Sequence, residues 1–327
     1  MNKIDRRAKQ IHANHFAFDA HCDSIHSVMR GERKLGEKSD KGHLDIPRMK
    51  EGGIKGQIFA CDLHVYKRRS PVPTRIFLQM VDAFYKEIID NESTVFVDSA
   101  EDFERSEQQG KIAAVLGMED GEPVAGELSI LRNFYRLGVR NLGLVWGYPN
   151  CIGTGVSTDE PSTNGLTNFG KEVVKECNRL GIVIDVAHIN EAGFDDVMDI
   201  SDDPVINSHA NAYALHNHPR NMRDSQIKQI AENGGVVNVI FFFLHEEEGK
   251  NTVETLVDHI DYIVDLVGIE HVGIGSDFDG LEEALKTVKD ASDYYKITSE
   301  LLRRGYEEKE ISKIIGGNLR RVFQQVI

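Results

Sequence analysis

The feature of the sequence that most restricts its fold is a repeated alternation between short apolar runs and longer amphipathic stretches of helical length. Runs rich in β-branched and aromatic residues predict buried strands, and a 3.6-residue periodicity between them predicts helices, so the repeating unit is a strand followed by a helix. Eight runs are predicted as strands, at residues 16–23, 54–65, 112–119, 139–146, 182–188, 204–209, 236–242 and 271–277.

The segments between and after these runs complete the prediction. Helical patterns at 165–180 and 252–267 end at Gly181 and Gly268, and glycine commonly terminates a helix. A ninth run, 95–97, falls between the second and third strands and is predicted to lie outside the ring of eight. Residues 290–327 carry two further helical patterns without a strand. The chain therefore predicts a (β/α)8 TIM barrel in a single domain over 1–327, with a C-terminal helical extension from about residue 290.

Charge and hydropathy exclude several classes of partner. With 38 basic and 53 acidic residues, the net charge of −15 would repel nucleic acid and anionic lipid. The longest apolar run, 236–244, is far shorter than the ~20 residues of a membrane span. No apolar stretch follows the basic N-terminus, so we expect no secretory signal and a cytoplasmic location. The four cysteines form no C-x-x-C pair and are interpreted as reduced packing residues.

Residues able to bind a metal stand at the ends of five predicted strands. They are His21 and Asp23 (first strand), Glu119 (third), His188 (fifth), His209 (sixth) and Asp277 (eighth). Each alone has an ordinary explanation, such as a helix cap, a solvated carboxylate or a hydrogen-bonded core histidine. Because the carboxyl ends of barrel strands meet on one face, the joint pattern favours a site of the metal-dependent hydrolase type.

The residue types suggest a division of roles. Strand alternation turns His21 and Asp23 to one side and Cys22 to the other, which gives an imidazole and a carboxylate for one ion. His188 and His209 would hold a second ion, and Glu119 could bridge the two at ~3.5 to 4 Å. Nitrogen and oxygen ligands suit Zn²⁺, although Mn, Fe or Co could use the same set.

Other roles are assigned from position in the chain. Asp277 could move a proton, whereas the neighbouring Asp279-Gly280 is explained by turn chemistry and is interpreted as structural. The polar loop 209–224 places Arg220 near the mouth of the barrel, where it could grip a carboxylate bidentately. Asn221, which follows Arg220, is predicted to contact substrate, and Arg223 is a weaker candidate.

Five segments in order, FDAHCD, LGMEDGEP, IDVAHIN, INSHANAY with PRNMRD, and HVGIGSDFDG, resemble the membrane (renal) dipeptidase family, peptidase family M19 of the amidohydrolase superfamily. The resemblance implies two zinc ions, one on His21 and Asp23 and one on His188 and His209, with Glu119 bridging. It also implies that Asp277 is the acid and base and that Arg220 holds the substrate carboxylate. Trp146, at the end of the fourth strand, stands where mammalian members carry a substrate-contacting histidine, so the resemblance predicts that Trp146 contacts substrate. The mammalian members are secreted and lipid-anchored, whereas a cytoplasmic location is expected for this chain.

The resulting hypothesis is a dipeptidase acting on L,L and some L,D dipeptides. Two cations would lower the pKa of a bridging water, so that hydroxide attacks the peptide carbonyl while Asp277 carries the proton to the leaving amine. The alternatives are an N-acyl amino acid hydrolase, lactonase or phosphotriesterase on the same scaffold, or a metal-binding barrel without catalysis. Arg220 favours a substrate with a carboxylate, and Asp277 argues against a purely structural metal site. A homodimer is among the assemblies that the sequence allows.

Overall fold

The computed structural model describes residues 1–63, 72–156, 162–247, 249–280 and 284–327. Its strands are β1 (Ala17–Cys22), β2 (Ile54–Asp62), β3 (Thr94–Phe96), β4 (Ile112–Glu119), β5 (Val139–Gly143), β6 (Val183–Asp185), β7 (Ile206–Asn207), β8 (Val236–Val239) and β9 (Val272–Ile274).

The α-helices are α1 (Lys3–Asn14), α2 (Ile25–Met29), α3 (Ile46–Gly52), α4 (Pro73–Phe84), α5 (Glu101–Gln109), α6 (Leu128–Arg136), α7 (Asn168–Leu180), α8 (Glu191–Ile200), α9 (Asp224–Glu232), α10 (Val253–Val267), α11 (Tyr295–Arg303), α12 (Glu308–Ser312) and α13 (Asn318–Val326). Two π-helical turns, Tyr85–Ile89 and Lys313–Gly317, extend α4 and connect α12 to α13.

Eight of the strands form a parallel sheet in the order β1-β2-β4-β5-β6-β7-β8-β9. The two outer strands meet where their residues leave the sheet: Asp23 N donates to Phe278 O at 2.9 Å, and Asp277 N donates to His21 O at 3.2 Å. These bonds bring the ends of the sheet together into a nearly closed barrel. The predicted (β/α)8 fold is confirmed, and the carboxyl ends of the eight strands open on one face.

Several strands are shorter than predicted. The run 204–209 contributes only Ile206–Asn207 to the sheet, and the run 139–146 ends at Gly143. The predicted end of the second strand, at Val65, lies outside the described residues. The ninth run forms β3, which is off the ring and pairs with the first residues of β4, whereas β5 pairs with the second half of β4.

The amino-terminal end of the barrel is closed by aromatic side chains and by α13. Phe18 packs against Phe103 and Phe323, with ring centroids 5.5 Å apart in both pairs. The π-helical turn before α13 approaches β1 closely because residue 316 is glycine: a Cβ there would lie 2.4 Å from Phe16 O and from Phe18 N. The predicted C-terminal extension thus contains three α-helices; the division of the chain into one barrel domain plus this extension stays a prediction.

The N-terminus forms a helix rather than an extended segment. The Asn2 side chain caps α1 by accepting from Asp5 N at 2.9 Å. Buried His12 ties α1 to α11 through a 2.8 Å hydrogen bond between its Nε2 and Thr298 Oγ1. A search of the described helices finds none with the length and apolarity that crossing a bilayer requires.

Candidate metal centre

Six of the predicted site residues converge at the carboxyl ends of the barrel strands. In one half of the cluster, His21 Nε2 lies 3.5 Å from Glu119 Oε2, 3.6 Å from Asp23 Oδ1 and 3.8 Å from Asp277 Oδ1. The residues come from β1, β4 and the loop after β9, so they are brought together only by closure of the barrel.

The other half of the cluster contains the two remaining histidines. Glu119 Oε1 lies 2.9 Å from His188 Nε2 and 3.5 Å from His209 Nε2, and the two Nε2 atoms are 2.9 Å apart. Glu119 therefore directs one carboxylate oxygen to His21 and the other to the pair His188 and His209. This is the position that a bridging ligand would occupy.

Burial and unsatisfied atoms test whether this set fits metal ions. His21, Asp23, Glu119 and His209 are at most 5% exposed. Within the part of the chain that is described, the buried His21 Nε2 and Asp23 Oδ1 have no hydrogen-bond partner, an arrangement that costs free energy unless a ligand satisfies the atoms. Candidate ligand atoms of His21, Glu119 and His209, and those of His21, Asp23 and Asp277, lie within 4.8 Å of one another. Imidazole nitrogens and carboxylate oxygens in this arrangement fit divalent cations.

The electrostatics divide the cluster into groups of different charge. Burial lowers the pKa of His188 to about 4 and, together with the nearby His21 and Arg220, that of His209 well below its usual value. Both rings are thus neutral near pH 7, the form that binds a metal. Burial would also lower the pKa of His21, but the carboxylates of Glu119 and Asp23 outweigh it and raise that pKa well above the usual value.

The pKa values of the Glu119 and Asp277 carboxyl groups are shifted in opposite directions. Burial would raise the pKa of Glu119, but His21 and His188 hold it well below the usual range. Burial and the neighbouring Asp23 raise the pKa of Asp277 well above the usual value. A buried carboxyl group whose pKa is raised by a neighbouring carboxylate is suited to taking up and releasing a proton.

Two site residues have unusual backbone conformations. His188 has φ 65° and Asp277 has φ 60°, in the left-handed region that residues other than glycine seldom adopt. Such conformations persist where surrounding contacts enforce them, and they occur often at functional sites. They also explain why β6 and β9 end three residues before these side chains, since the backbone has turned away from the sheet.

Arg220 is placed as predicted, beside the cluster. Its Nη2 lies 3.4 Å from His209 O, and burial lowers the pKa of its guanidinium to about 10, so it stays cationic near pH 7. It forms an ion pair with no carboxylate of the described residues. It lines a cavity of about 230 Å³ together with His188, Phe194 and Tyr213. A desolvated cation without a counter-ion in such a cavity is suited to a carboxylate ligand.

The other predicted contact residues differ in their placement. The Trp146 ring lies 5.6 Å from the His188 ring, between centroids, so it reaches the site. Asn221 lines the Arg220 cavity, but its Nδ2 donates to His216 O and Phe243 O at 3.0 and 2.9 Å. Its amide therefore holds the loop together, and its contact with substrate stays a prediction. Arg223 lies over the Tyr213 ring, 4.5 Å from its centroid.

Two buried polar residues next to Asp23, His26 and Asp62, were not predicted from the sequence. His26 Nε2 lies 3.0 Å from Asp62 Oδ2, and their ligand atoms are within 4.8 Å of one from Asp23. Asp62 ends β2 and pairs in register with Glu119 at the end of β4. Asp62 thus stands at the end of a strand, the feature by which Glu119 was identified. It was not recognised because the second strand was predicted to continue to Val65.

Asp279, predicted to be structural, joins three loops below the site. Its buried carboxylate accepts hydrogen bonds from Ser24 Oγ, Arg33 Nη2 and His43 N. The ion pair with Arg33 is almost fully buried, with 3% and 6% of the two side chains exposed. Asp279 thus fixes the turn that follows Asp277.

A parallel barrel with a buried cluster of imidazoles and carboxylates at its carboxyl face has the architecture of the metal-dependent hydrolases. Residues 5–327 match the model of the membrane dipeptidase family, peptidase family M19, and the chain belongs to that family. The resemblance inferred from the five sequence segments is confirmed. Membership supports a metallopeptidase of the dipeptidase class that uses a divalent metal.

Individual relatives agree with the family. Dipeptidase tcpJ of Claviceps purpurea is 30% identical over 94% of this chain and 76% of that protein. Among solved structures, dipeptidase AC, a metallopeptidase of family M19, is 31% identical with a TM-score of 0.88, covering 95% of this chain and 98% of that one. A metallopeptidase from Rhodobacter sphaeroides, solved with a phosphinate mimic of L-Ala-D-Ala, is 29% identical with a TM-score of 0.87, covering 95% and 99%.

Proposed function

We propose that this protein hydrolyses the peptide bond of dipeptides with the help of two divalent ions, for which Zn²⁺ suits the ligands. One ion would be held by His21 and Asp23, the other by His188 and His209, and both by Glu119. The observation that carries the proposal is the placement of Glu119. One of its carboxylate oxygens faces His21, and the other faces His188 and His209.

When bound, the ions would polarise the scissile carbonyl and make a water molecule nucleophilic near neutral pH. The protein's own contribution to proton transfer is Asp277. Its carboxyl group lies at the rim of the cluster, 9% exposed, with Oδ1 3.8 Å from His21 Nε2. From this position its carboxylate would accept the proton of the attacking water and return it to the leaving amine.

The cavity beside the cluster supports a substrate whose free carboxylate lies near the scissile bond. Arg220 and His188 line the same 230 Å³ space, so a carboxylate held by Arg220 would be close to a carbonyl at the metal centre. In a dipeptide, one residue separates the free carboxylate from the scissile carbonyl. The substrate would therefore be a dipeptide with a free C-terminal carboxylate, and Trp146 would cover it from the His188 side.

We extend the proposal to L,D as well as L,L dipeptides with small side chains. The support is the Rhodobacter sphaeroides metallopeptidase, whose bound ligand mimics L-Ala-D-Ala and whose chain superimposes on this one with a TM-score of 0.87. A cytoplasmic location and a homodimer are retained as predictions.

The test is hydrolysis of a panel of L,L and L,D dipeptides, with lactones, N-acyl amino acids and phosphotriesters as competing substrates. Activity should vanish on metal chelation and return with Zn²⁺. Asp277→Asn should keep two ions per chain and lose most turnover, because it removes the proton carrier and leaves the proposed ligands. Normal turnover in that variant would refute the role of Asp277, and two bound ions with no hydrolysis of any substrate would indicate a non-catalytic barrel.

A further inference from the structure

Beneath the metal centre, an aspartate in β1 joins two strand ends. Asp19 Oδ1 accepts from His21 N, two residues along its own strand, at 3.1 Å. Across the closure of the barrel, the same carboxylate accepts from Ser276 N at 3.1 Å and from Ser276 Oγ at 3.1 Å. Ser276 directly precedes Asp277. We call Asp19 and Ser276 the β1–β9 clamp.

A second aspartate makes the same contacts on the other side of the barrel. Asp185, the last residue of β6, accepts through Oδ1 from Ala187 N and from Ser208 N, both at 2.9 Å. Ser208 directly precedes His209, and Ala187 directly precedes His188. We call Asp185 and Ser208 the β6–β7 clamp.

The two clamps share one pattern. In each, a buried aspartate accepts from the backbone N–H two residues later and from the backbone N–H of a serine on the neighbouring strand. All four side chains are at most 2% exposed. In each, the serine is followed at once by a site residue. The β1–β9 clamp serves His21 and Asp277, and the β6–β7 clamp serves His188 and His209.

The clamps replace bonds that the sheet no longer supplies. His188 and Asp277 have left-handed backbones, so the chain leaves the parallel ladder just before them. The N–H groups of Ala187 and Ser276 would be unsatisfied in a dry interior, and the aspartates accept from them instead. Because each carboxylate binds two strand ends at once, it fixes the distance between the side chains that follow.

In the β6–β7 clamp the serine also reaches a ligand ring. Ser208 Oγ lies 2.7 Å from His209 Nδ1. For His209 to offer the lone pair of Nε2 to a metal, Nδ1 must carry the hydrogen and donate it to Ser208 Oγ. The serine hydroxyl then selects the metal-binding tautomer of His209.

We propose that these are two separate positioning devices, each controlling the affinity of one metal position. This rests on the proposed binuclear site. The β1–β9 clamp sets the position of His21 and its ion, and the β6–β7 clamp sets the positions of His188 and His209 and theirs. The four clamp residues are almost fully buried beneath the cluster, so we expect them to act on metal binding first and on turnover through it.

The test uses the full-length chain, stripped of metal and titrated with Zn²⁺ against a chromophoric chelator to give two dissociation constants. Ser208→Ala removes the Oγ contact with His209, and Ser276→Ala removes the Oγ bond to Asp19, while both keep their backbone N–H bonds. Asp185→Ala and Asp19→Ala remove the carboxylates that accept from the two strand ends. The serine and aspartate variants of one clamp should weaken the same constant, by about 10- to 100-fold for the aspartate variants, the range typical of residues that orient metal ligands, and by less for the serine variants. The other constant should change less than about threefold. Ser→Thr at either position keeps the hydroxyl and should therefore retain most of the Zn²⁺ affinity that Ser→Ala loses.

Ligand variants assign each constant to a clamp. In a His188→Ala background, which retains the ion on His21 and Asp23, Ser276→Ala should weaken the remaining ion and Ser208→Ala should not; in a His21→Ala background the result should reverse. Ser299→Ala is the matched control: it removes a buried serine whose Oγ donates to Asp5 Oδ1 at 3.0 Å, between α1 and α11 and away from the site. Both constants should be unchanged in it.

The outcomes separate this inference from the proposed function. A wild-type chain that binds fewer than two ions would refute the binuclear site and the inference with it. A wild-type chain that binds two ions, with aspartate variants that weaken both constants equally or weaken neither, would refute the clamps alone. Thermal unfolding of the metal-free variants checks that loss of affinity is not loss of fold.

Discussion

Gly280 offers a sharp test of the metal centre, because the only space beside its α-carbon is filled by two site carboxylates. A Cβ at this position would lie 2.2 Å from Asp277 Oδ1 and 2.3 Å from Asp23 Oδ2. Non-bonded carbon–oxygen contacts are about 3.3 Å, so Gly280→Ala would force each oxygen to move by about 1 Å. Both side chains are buried and cannot swing into solvent.

The size of the effect follows from that displacement. Holding an aspartate side chain off its preferred rotamer costs about 0.5 to 1.5 kcal/mol, and Asp23 is the displaced carboxylate that is a proposed ligand. If its original position is the one that binds the ion, Gly280→Ala should weaken the ion on His21 and Asp23 by about 2- to 13-fold, since 1.4 kcal/mol is a factor of ten.

The assay is the two-constant Zn²⁺ titration, with circular dichroism to confirm the fold. Gly147→Ala is the matched control, because a Cβ there meets nothing within 4 Å, and its metal affinities should equal those of the wild-type chain. Wild-type affinity in Gly280→Ala would show that Asp23 is not held in the position from which metal binding has been inferred.

Three further changes test other parts of the molecule. Arg220→Met should lower kcat/KM for dipeptides about tenfold or more, because it removes a charge-assisted hydrogen bond; metal content should be unchanged, and equal loss on dipeptide amides would contradict carboxylate binding. Because burial lowers the folded-state pKa of His12 from 6.5 to about 4, the unfolded chain takes up that proton first as pH falls. Neutral His12 therefore stabilises the fold above pH 6.5, and about 3 kcal/mol of that unfolding free energy is lost as the pH falls to 4. The unfolding free energy of His12→Gln, measured in urea, should depend less steeply on pH. The same pH dependence in His12→Gln and wild type would refute the role of His12. Asp279→Asn should cost about 3 to 5 kcal/mol of unfolding free energy in the metal-free chain by leaving Arg33 buried without its partner, and Arg33→Met in the same chain should recover part of it; a loss below 1 kcal/mol would contradict the buried ion pair.

The ring of strands could be predicted because its signal is spread over the whole chain. Each apolar run has to be buried on both faces, and eight runs alternating with helices leave few other arrangements. The ends of the strands could not be predicted to the residue. At His188 and Asp277 the backbone becomes left-handed, and the pattern of side chains in the preceding apolar runs does not predict that change.

The candidate site could likewise be predicted only in part. Its six predicted residues converge because strand ends are brought together by closure, whatever the details of the loops. Asp62 was missed because the predicted strand ran on to Val65, so Asp62 was not treated as a strand end. That the Asn221 side chain holds the loop together could be seen only from its bonds to His216 and Phe243. The clamp residue Asp19 shares a strand face with His21 and Asp23, so period-2 alternation placed it beneath the site, but not against Ser276.

The charges of the site explain why a protein of net charge −15 can hold an anionic substrate. Asp23, Glu119 and Asp277 bring up to three negative charges into a buried space beside Arg220. Without ions, burial and the charge of Asp23 raise the pKa of Asp277, and the same carboxylates would oppose a further anion. Two divalent ions would add four positive charges to those three negative ones, so the loaded site would oppose an anionic substrate far less, even with a hydroxide at the ions. Dipeptide binding at Arg220 is therefore expected to depend on metal loading: the metal-free chain should bind a non-hydrolysable dipeptide analogue far more weakly, and equal affinity with and without ions would place the substrate carboxylate outside the field of this cluster.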